Sequence, residues 1–354
     1  MKVLASAPGR ICLFGEHQDY LGLPVTAAAI DLTCRVELTL DRGSHVVMSL
    51  PDGLADLVFD LTGLPDLSPR NYGLSVLRLA QAEGWLPPTG FHMRFQTNIP
   101  MASGTSSSTA WVLAMVAVIS AAAGIQLSPM EIARKAHHAE VIAFQEPGGQ
   151  MDHMICALGG MRSMGFEPIF QTSLIEPPSD MVWVLGDSLQ PKNTLDALHR
   201  VKSAREKLLP RMPEDFELAS ASSIPPAASG PQWTTEEFSL LQATIKNRDL
   251  SAAGTEALQS GDVRAVGECL AAHHGVLRDA FGLSTHRIED MLSRAQNAGA
   301  IGGKINGSGG GGCCFVLCHK SDETKIDRAM NAAGGRGISI RISPAGVTTE
   351  ISAG

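Results

Sequence analysis

The sequence predicts an α+β fold in two parts, on three observations. Strand-like alternation fills the first 50 residues, helical patterns crowd the middle, and short apolar strand-like runs return at the end. The chain has 354 residues, which at roughly 100–200 per domain means about two domains. Apolar residues make up 44 % of it, enough for a full core without disulfides or metal staples.

Taken in order, Lys2–Ala7, Pro24–Asp31, Arg35–Leu40 and Val46–Leu50 alternate as strands do. Arg70–Glu83 reads as a helix and Gly90–Asn98 as a strand. Ser106–Ala123 carries a run of Ala, Val, Leu and Met that predicts four helical turns before Gly124 stops it. The uncharged stretch around it has an apolar part of about 14 residues, against the ~20 of a membrane span, so a buried core helix is expected. Ser128–Phe144 follows, with Pro129 in its first turn. Met181–Gly186 reads as a buried strand, Thr194–Leu209 as a polar helix, and Ser220–Pro231 as a surface loop. Helices over Gln232–Phe281 and Ser284–Ala298 precede strands at Lys304–Ile305, Cys313–Cys318 and within Arg336–Ile351.

Composition excludes some classes of function. Twenty-eight basic against 36 acidic residues give a net charge of −8, which argues against a protein that coats nucleic acid. Seven cysteines without a CxxC pair point to reduced thiols rather than a disulfide framework or a zinc site. Pro8 and Arg10 interrupt the N-terminus before an apolar signal core can form, so a soluble, cytoplasmic protein is expected.

Three segments carry chemistry. The first, Pro8-Gly-Arg-Ile-Cys-Leu-Phe-Gly-Glu-His-Gln-Asp-Tyr20, places Arg10, Glu16, His17, Asp19 and Tyr20 just after a strand, a set that suits the hydroxyls of a sugar or polyol. The second runs from Asn98 to Trp111 into the long apolar helix. Gly104 permits a tight turn there, and Ser103 and the hydroxyls from Thr105 to Thr109 gather at the positive end of a helix, where an anion binds well. The third, Lys304-Ile-Asn-Gly-Ser-Gly-Gly-Gly-Gly-Cys-Cys314, fits G-x-G-x-x-G by its glycines. A dinucleotide fold needs a helix after them, though, and an apolar strand follows instead. Lys304 reads as a structural or surface residue. Between the second and third, Glu140 sits in a predicted helix and Asp152 follows a Pro-Gly-Gly turn, so both carboxylates are expected to face one cleft. Adjacent histidines at 137/138 and 273/274 point different ways on a helix and read as structural or surface groups.

Together the segments resemble the motifs of the GHMP kinases, and the first resembles galactokinase in particular through Pro-Gly-Arg-x5-Gly-Glu-His-x-Asp-Tyr. The resemblance implies two α+β domains, an N-terminal one similar to ribosomal S5 domain 2 over residues 1–175 and a ferredoxin-like C-terminal one over 176–354, with the active site in the cleft between them. It implies Arg10 and Asp152 as catalytic residues, and Glu16, His17, Asp19, Gly149 and Asp152 as sugar contacts. It further implies ATP phosphates on Ser103, Gly104, Ser106, Ser107 and Ser108, and Mg²⁺ on Ser108 and Glu140. ATP and a small sugar are then the partners, with no nucleic acid and no membrane. The implied reaction is ATP-dependent phosphorylation of a neutral hexose at its anomeric hydroxyl. Whether Asp152 takes the hydroxyl proton or only orients the hydroxyl stays open. So do two other readings: a kinase of the same fold for a heptose phosphate, uronic acid, pentose or polyol, and a non-catalytic sugar- and ATP-binding regulator. The sequence departs from the family pattern at Ala102, Thr105 and Thr109 in the second motif, at His153 where the family has glutamine, and in lacking a tyrosine beyond Asp152.

Overall fold

In the computed structural model, which describes residues 1–50, 56–68, 70–190, 194–224 and 233–352, two long strands set the frame. β1 (Lys2–Phe14) pairs antiparallel with β2 (Val25–Leu40) along nearly their whole length, with register shifts between Pro8 and Arg10 and between Cys12 and Phe14. Such irregularities re-aim side chains, and here they flank Arg10. β3 (His45–Ser49) and β4 (Leu57–Asp60) follow, then α1 (Tyr72–Glu83), whose N-terminus is capped by Asn71. β5 (Phe91–Thr97) lies between β2 and β3, antiparallel to the first and parallel to the second.

α2 (Ser107–Ala122) and α3 (Pro129–Glu140) are joined to α4 (Met151–Leu158) by a short 3₁₀ turn at Ile142–Phe144 and the Pro-Gly-Gly segment. α3 starts with a complete capping box between Ser128 and Glu131. α2 is buried on nearly every side, and its apolar residues share one core with α1, α3, α4 and the sheet. No described helix is long and apolar enough to cross a membrane. β6 (Met161–Gly165) adds to β2, and β7 (Gln171–Ile175) to β6.

The second unit is a four-stranded antiparallel sheet. It holds β8 (Met181–Asp187), β9 (Gly302–Ile305), β10 (Cys313–His319) and β11 (Arg336–Ile340), in the order β11-β8-β10-β9. Fourth-first-third-second is the split βαβ, ferredoxin-like arrangement. The helices of this unit are α5 (Thr194–Leu208), α6 (Thr235–Ser260), α7 (Val263–Asp279), α8 (His286–Asn297) and α9 (Glu323–Ala332). β10 shows why an unbroken apolar run can be a strand. Cys314, Val316 and Cys318 face α8 and α9, while Cys313, Phe315 and Leu317 face the other way. That second face meets Ile11, Leu13 and Phe14 of β1 and residues of α6 and α7 in one cluster, so the two units share a core.

Several expectations change. The strands expected at Pro24–Asp31 and Arg35–Leu40 are one, because nothing between them breaks a strand. The strand expected at Lys2–Ala7 runs through Pro8 and Gly9, where a Cβ on Gly9 would lie 2.8 Å from the Thr105 carbonyl. The helices expected over Gln232–Phe281 break at Gly261, which takes a left-handed conformation. The unit expected over 176–354 gives up its last strand: β12 (Thr348–Ser352) pairs with β1 and covers the edge that Val3 and Ala5 would leave open. Part of the expected loop Ser220–Pro231, residues 225–231, lies outside the described residues.

At Gly254 of α6 the units press together, since a Cβ there would overlap the ring of Phe14. Gly254→Ala should therefore cost about 1–3 kcal/mol by overpacking, even after the helix-propensity gain. Urea denaturation reads this directly, and a midpoint equal to that of the wild type would show that α6 does not press on β1.

Candidate active site

The cleft between the units has a volume of about 790 Å³ and is lined by all three sequence segments together with Glu140, Glu146 and the start of α4. Its floor is the N-terminus of α2. Ser106, the residue before the helix, adopts φ 62, a left-handed backbone uncommon for a residue with a side chain. Its hydroxyl makes no capping bond and donates instead to Asp152 Oδ2 at 2.6 Å. The first N–H groups of α2 are left uncapped beside Gly104 and the exposed Ser108, which is the geometry that attracts an anion. Ser103 is buried, and its hydroxyl is turned into its own loop, on Pro100 O at 2.6 Å. Sequence reasoning grouped these serines as phosphate ligands. The structure divides them: Ser103 shapes the loop, Ser106 holds Asp152, and Ser107 and Ser108 stand on the helix itself.

Asp152, in the first turn of α4, is gripped from both sides. Arg10 Nε and Nη2 donate to its two oxygens at 2.8 and 2.7 Å, a bidentate fork. Arg10 is buried and also donates through Nη1 to Gly104 O. Burial alone would raise the Asp152 carboxyl, but Arg10 and the Ser106 hydroxyl outweigh it and hold the group below the usual aspartate range. Burial works against the Arg10 charge, and Asp152 more than restores it.

The first segment behaves differently from expectation at one residue. Glu16 was expected to bind sugar, yet it is buried, and its two oxygens are taken by the Lys304 ammonium and the Gly307 N–H. Burial pushes the Glu16 carboxyl up, and Lys304 pulls it back. Lys304, expected to be structural or on the surface, is wholly buried and also donates to Cys12 O and Ile305 O at 3.0 and 2.9 Å. Asn306 completes the junction. It accepts from Cys12 N at 2.9 Å and donates to Gly104 O at 2.8 Å. His17 Nε2 meets Ser308 O at 3.2 Å and so carries the proton, leaving Nδ1 to accept from Tyr20 at 3.2 Å. Asp19 accepts from Met151 N at 3.1 Å, and a Cβ on Gly149 would fall inside its carboxylate. Only glycine fits there.

Glu140, the last residue of α3, is buried and accepts from His153 Nε2 at 2.9 Å. His153 had been noted only as a departure from the family pattern. Arg205 was not anticipated at all. It is buried between the rings of Tyr20 and Phe281, donates to the Tyr20 hydroxyl, and reaches the site from α5. One basic residue among several in a polar helix gives no signal of this.

An uncapped helix N-terminus facing an aspartate that a buried arginine holds, under a glycine loop from a second unit, defines a two-unit α+β phosphotransferase. The chain belongs to the GHMP kinases. Residues 71–160 match the GHMP kinases N terminal domain, residues 255–336 the GHMP kinases C terminal region, and residues 1–39 the galactokinase galactose-binding signature. It is 27 % identical to the mevalonate kinase of Thermococcus gammatolerans over 363 residues, covering 99 % of each chain. It is also 27 % identical to the galactokinase of Mycobacterium bovis over 347 residues, covering 94 % of this chain and 92 % of that one. The structure of Lactococcus lactis galactokinase complexed with galactose superimposes with a TM-score of 0.85 at 20 % identity, covering 98 % and 95 % of the two chains. The protein is accordingly an ATP-dependent phosphotransferase.

Two outcomes follow from the charge pairs. Lys304→Met leaves Glu16 buried without its cation and should cost about 3–5 kcal/mol, read as a lower denaturation midpoint. An unchanged midpoint would mean that Glu16 does not depend on Lys304. Asp152 has a folded value below its unfolded one, so its pair with Arg10 contributes stability that is full above about pH 3.9 and is lost as pH falls through the lower folded value. Asp152→Asn should flatten the dependence of Tm on pH in that acid window. The same slope in both proteins would refute the assignment.

Proposed function

We propose that the protein transfers the γ-phosphoryl group of ATP to a small neutral sugar, a hexose at its anomeric hydroxyl. The observation that carries this is the charge of the cleft. Among the described lining residues there are five carboxylates, Glu16, Asp19, Glu140, Glu146 and Asp152, against the arginines Arg10 and Arg70, and Glu16 is neutralised by the buried Lys304. Arg10 is committed to Asp152, and Arg70 lies 3.7 Å from Glu146. A substrate carboxylate or phosphate would enter without a counter-charge, whereas sugar hydroxyls donate to carboxylates such as Asp19. The galactose-binding signature at residues 1–39 agrees with this. Mevalonate is the second reading, favoured by the identity to mevalonate kinases, but it carries a carboxylate, and both arginines that line the described cleft already face carboxylates of the chain.

In this reading the phosphates of ATP lie on the N-terminus of α2, against Gly104, Ser107 and Ser108. The substrate lies between Asp19, His17, Gly149 and Asp152. Magnesium is held by one or two carboxylates plus phosphate oxygens rather than by a full protein cage. Glu140 and the Ser108 hydroxyl, both lining the cleft, are a donor set of that kind. Bound there, the ion would neutralise charge on the transferring phosphoryl group. Asp152 is ionised at neutral pH and is too weak a base to remove a hydroxyl proton early. It orients the hydroxyl and receives the proton late, as the phosphoryl group arrives. Arg10 fixes that carboxylate and offsets charge at the reacting centre. ATP as donor and cysteines that are unpaired among the described residues fit a cytoplasmic enzyme.

The test is ATP turnover with neutral hexoses, amino sugars, a heptose phosphate and mevalonate. A neutral hexose is expected to be phosphorylated, and Asp19→Asn to raise its KM about tenfold or more while leaving the KM for ATP unchanged. Turnover of mevalonate or a sugar phosphate, with no turnover of neutral sugars, would overturn the reading.

A further inference from the structure

Glu140 is an expensive residue for its position. It ends α3, where the helix dipole is negative and a carboxylate is disfavoured, and it is buried. No lysine or arginine among the described residues pairs with it. Among the described residues its side chain bonds to His153 alone, whose Nε2 donates to Oε2, while Oε1 accepts nothing from a described residue and the side chain lines the cleft. A carboxylate kept only for packing would be better replaced by a neutral side chain. One that is half satisfied, in the lining of the same cleft as the α2 N-terminus, is arranged for a cation that arrives with the nucleotide.

His153 is placed to do the arranging. It follows Asp152 on α4, so consecutive residues of one helix serve the two carboxylates. Asp152 is locked by Arg10 and Ser106, and His153 reaches back to lock Glu140. The ring itself cannot turn freely. It is buried and set edge-to-face against His137 at 5.0 Å, and its Nδ1 has no partner among the described residues. Burial, then the neighbouring imidazoles, hold His137 down to about 3, so it stays an uncharged wall. A buried imidazole with one idle nitrogen is held for its other nitrogen.

Resting on the reading of Glu140 as a magnesium ligand, we infer that His153 is a positioning residue: it pins Oε2 of Glu140 so that Oε1 is presented to the metal that accompanies the nucleotide. Partners of this kind orient metal ligands, and their loss typically costs about 10–100-fold in metal affinity. Glutamine at this position keeps an N–H near Nε2, whereas asparagine stops short of Glu140 and leucine has no donor.

The experiment is calorimetric titration of ADP into the full-length protein with and without Mg²⁺, in which the ratio of the two affinities isolates the metal. His153→Leu and His153→Asn should each lose about tenfold or more of the Mg²⁺-dependent gain, His153→Gln should keep it to within about threefold, and metal-free ADP affinity should be the same in all. Glu140→Gln is titrated alongside. If Glu140→Gln loses the gain but His153→Leu and His153→Asn keep it, the positioning role is overturned and the metal reading stands. If Glu140→Gln keeps it as well, both fall. A loss of metal-free ADP affinity equal to the loss with Mg²⁺ would make His153 merely structural and overturn the inference. Should the leucine variant not fold, the asparagine and glutamine pair decides alone.

Discussion

The cleft depends on the ion pair buried between Lys304 and Glu16. Three segments must meet at one point although they lie 94 to 296 positions apart in the chain, as the contacts of Gly104 and Asn306 with Arg10 show. Lys304 binds the backbone of β1 and the carboxylate that follows it, while Asn306 ties β1 to Gly104. Gly307 then passes so close to the second segment that a Cβ would lie 2.7 Å from Gly104 O. Removing two charges from water is costly, and such a pair is weak evidence for stability. What it supplies here is register. An ammonium with three donors accepts only a site where a carboxylate and two carbonyls converge, so it fixes the second unit against the first.

That junction sorts the charges of the site. Glu16 and Lys304 neutralise each other behind the wall, and Arg10 and Asp152 do so at its surface, so neither pair adds net charge to the cleft. The positive field that remains comes from backbone, at the N-terminus of α2. The remaining carboxylates lie around it: Asp19 beside Gly149, and Glu140 beside His153. A phosphate and a polyol can therefore occupy neighbouring regions without competing, because one is recognised by N–H groups and the other by carboxylate oxygens.

Much of this was legible in the sequence, because motif residues close in sequence imply their own local geometry. The polar set after β1, the glycine turn before α2 and the glycine run before β10 all stand in the cleft wall. The long helices and the apolar strand of Cys313–Cys318 were equally plain from periodicity. What was hidden depended on distant partners. Lys304 reads as an ordinary lysine until Glu16 is folded onto it, and Glu16 reads as a sugar ligand until Lys304 takes its oxygens. α4 is only eight residues long and follows two glycines, so Asp152 was expected after a turn rather than on a helix. α9 and the return of β12 to β1 left no local mark, since a polar helix and an exposed edge strand carry weak patterns.

The side of the cleft backed by α5 is where this frame is free to vary. α5 supplies Arg205, which is stacked between Tyr20 and Phe281 and bonded to the Tyr20 hydroxyl, so Tyr20 is oriented from outside its own segment. Burial lowers the Arg205 value while Tyr20 opposes that shift, and one guanidinium nitrogen has no partner among the described residues. The phosphate side has no such latitude. It is made of backbone groups at a helix end, of Gly307, which lacks room for a side chain, and of an arginine whose three nitrogens are all engaged. On the proposed reading, substitutions in α5 reshape what Tyr20 and His17 present to an acceptor, while Arg10, Asp152 and the α2 N-terminus are held by contacts that do not involve α5. Acceptor choice and phosphoryl transfer are thus, on that proposed reading, set by different parts of one cleft, one adjustable through side chains and the other fixed by backbone.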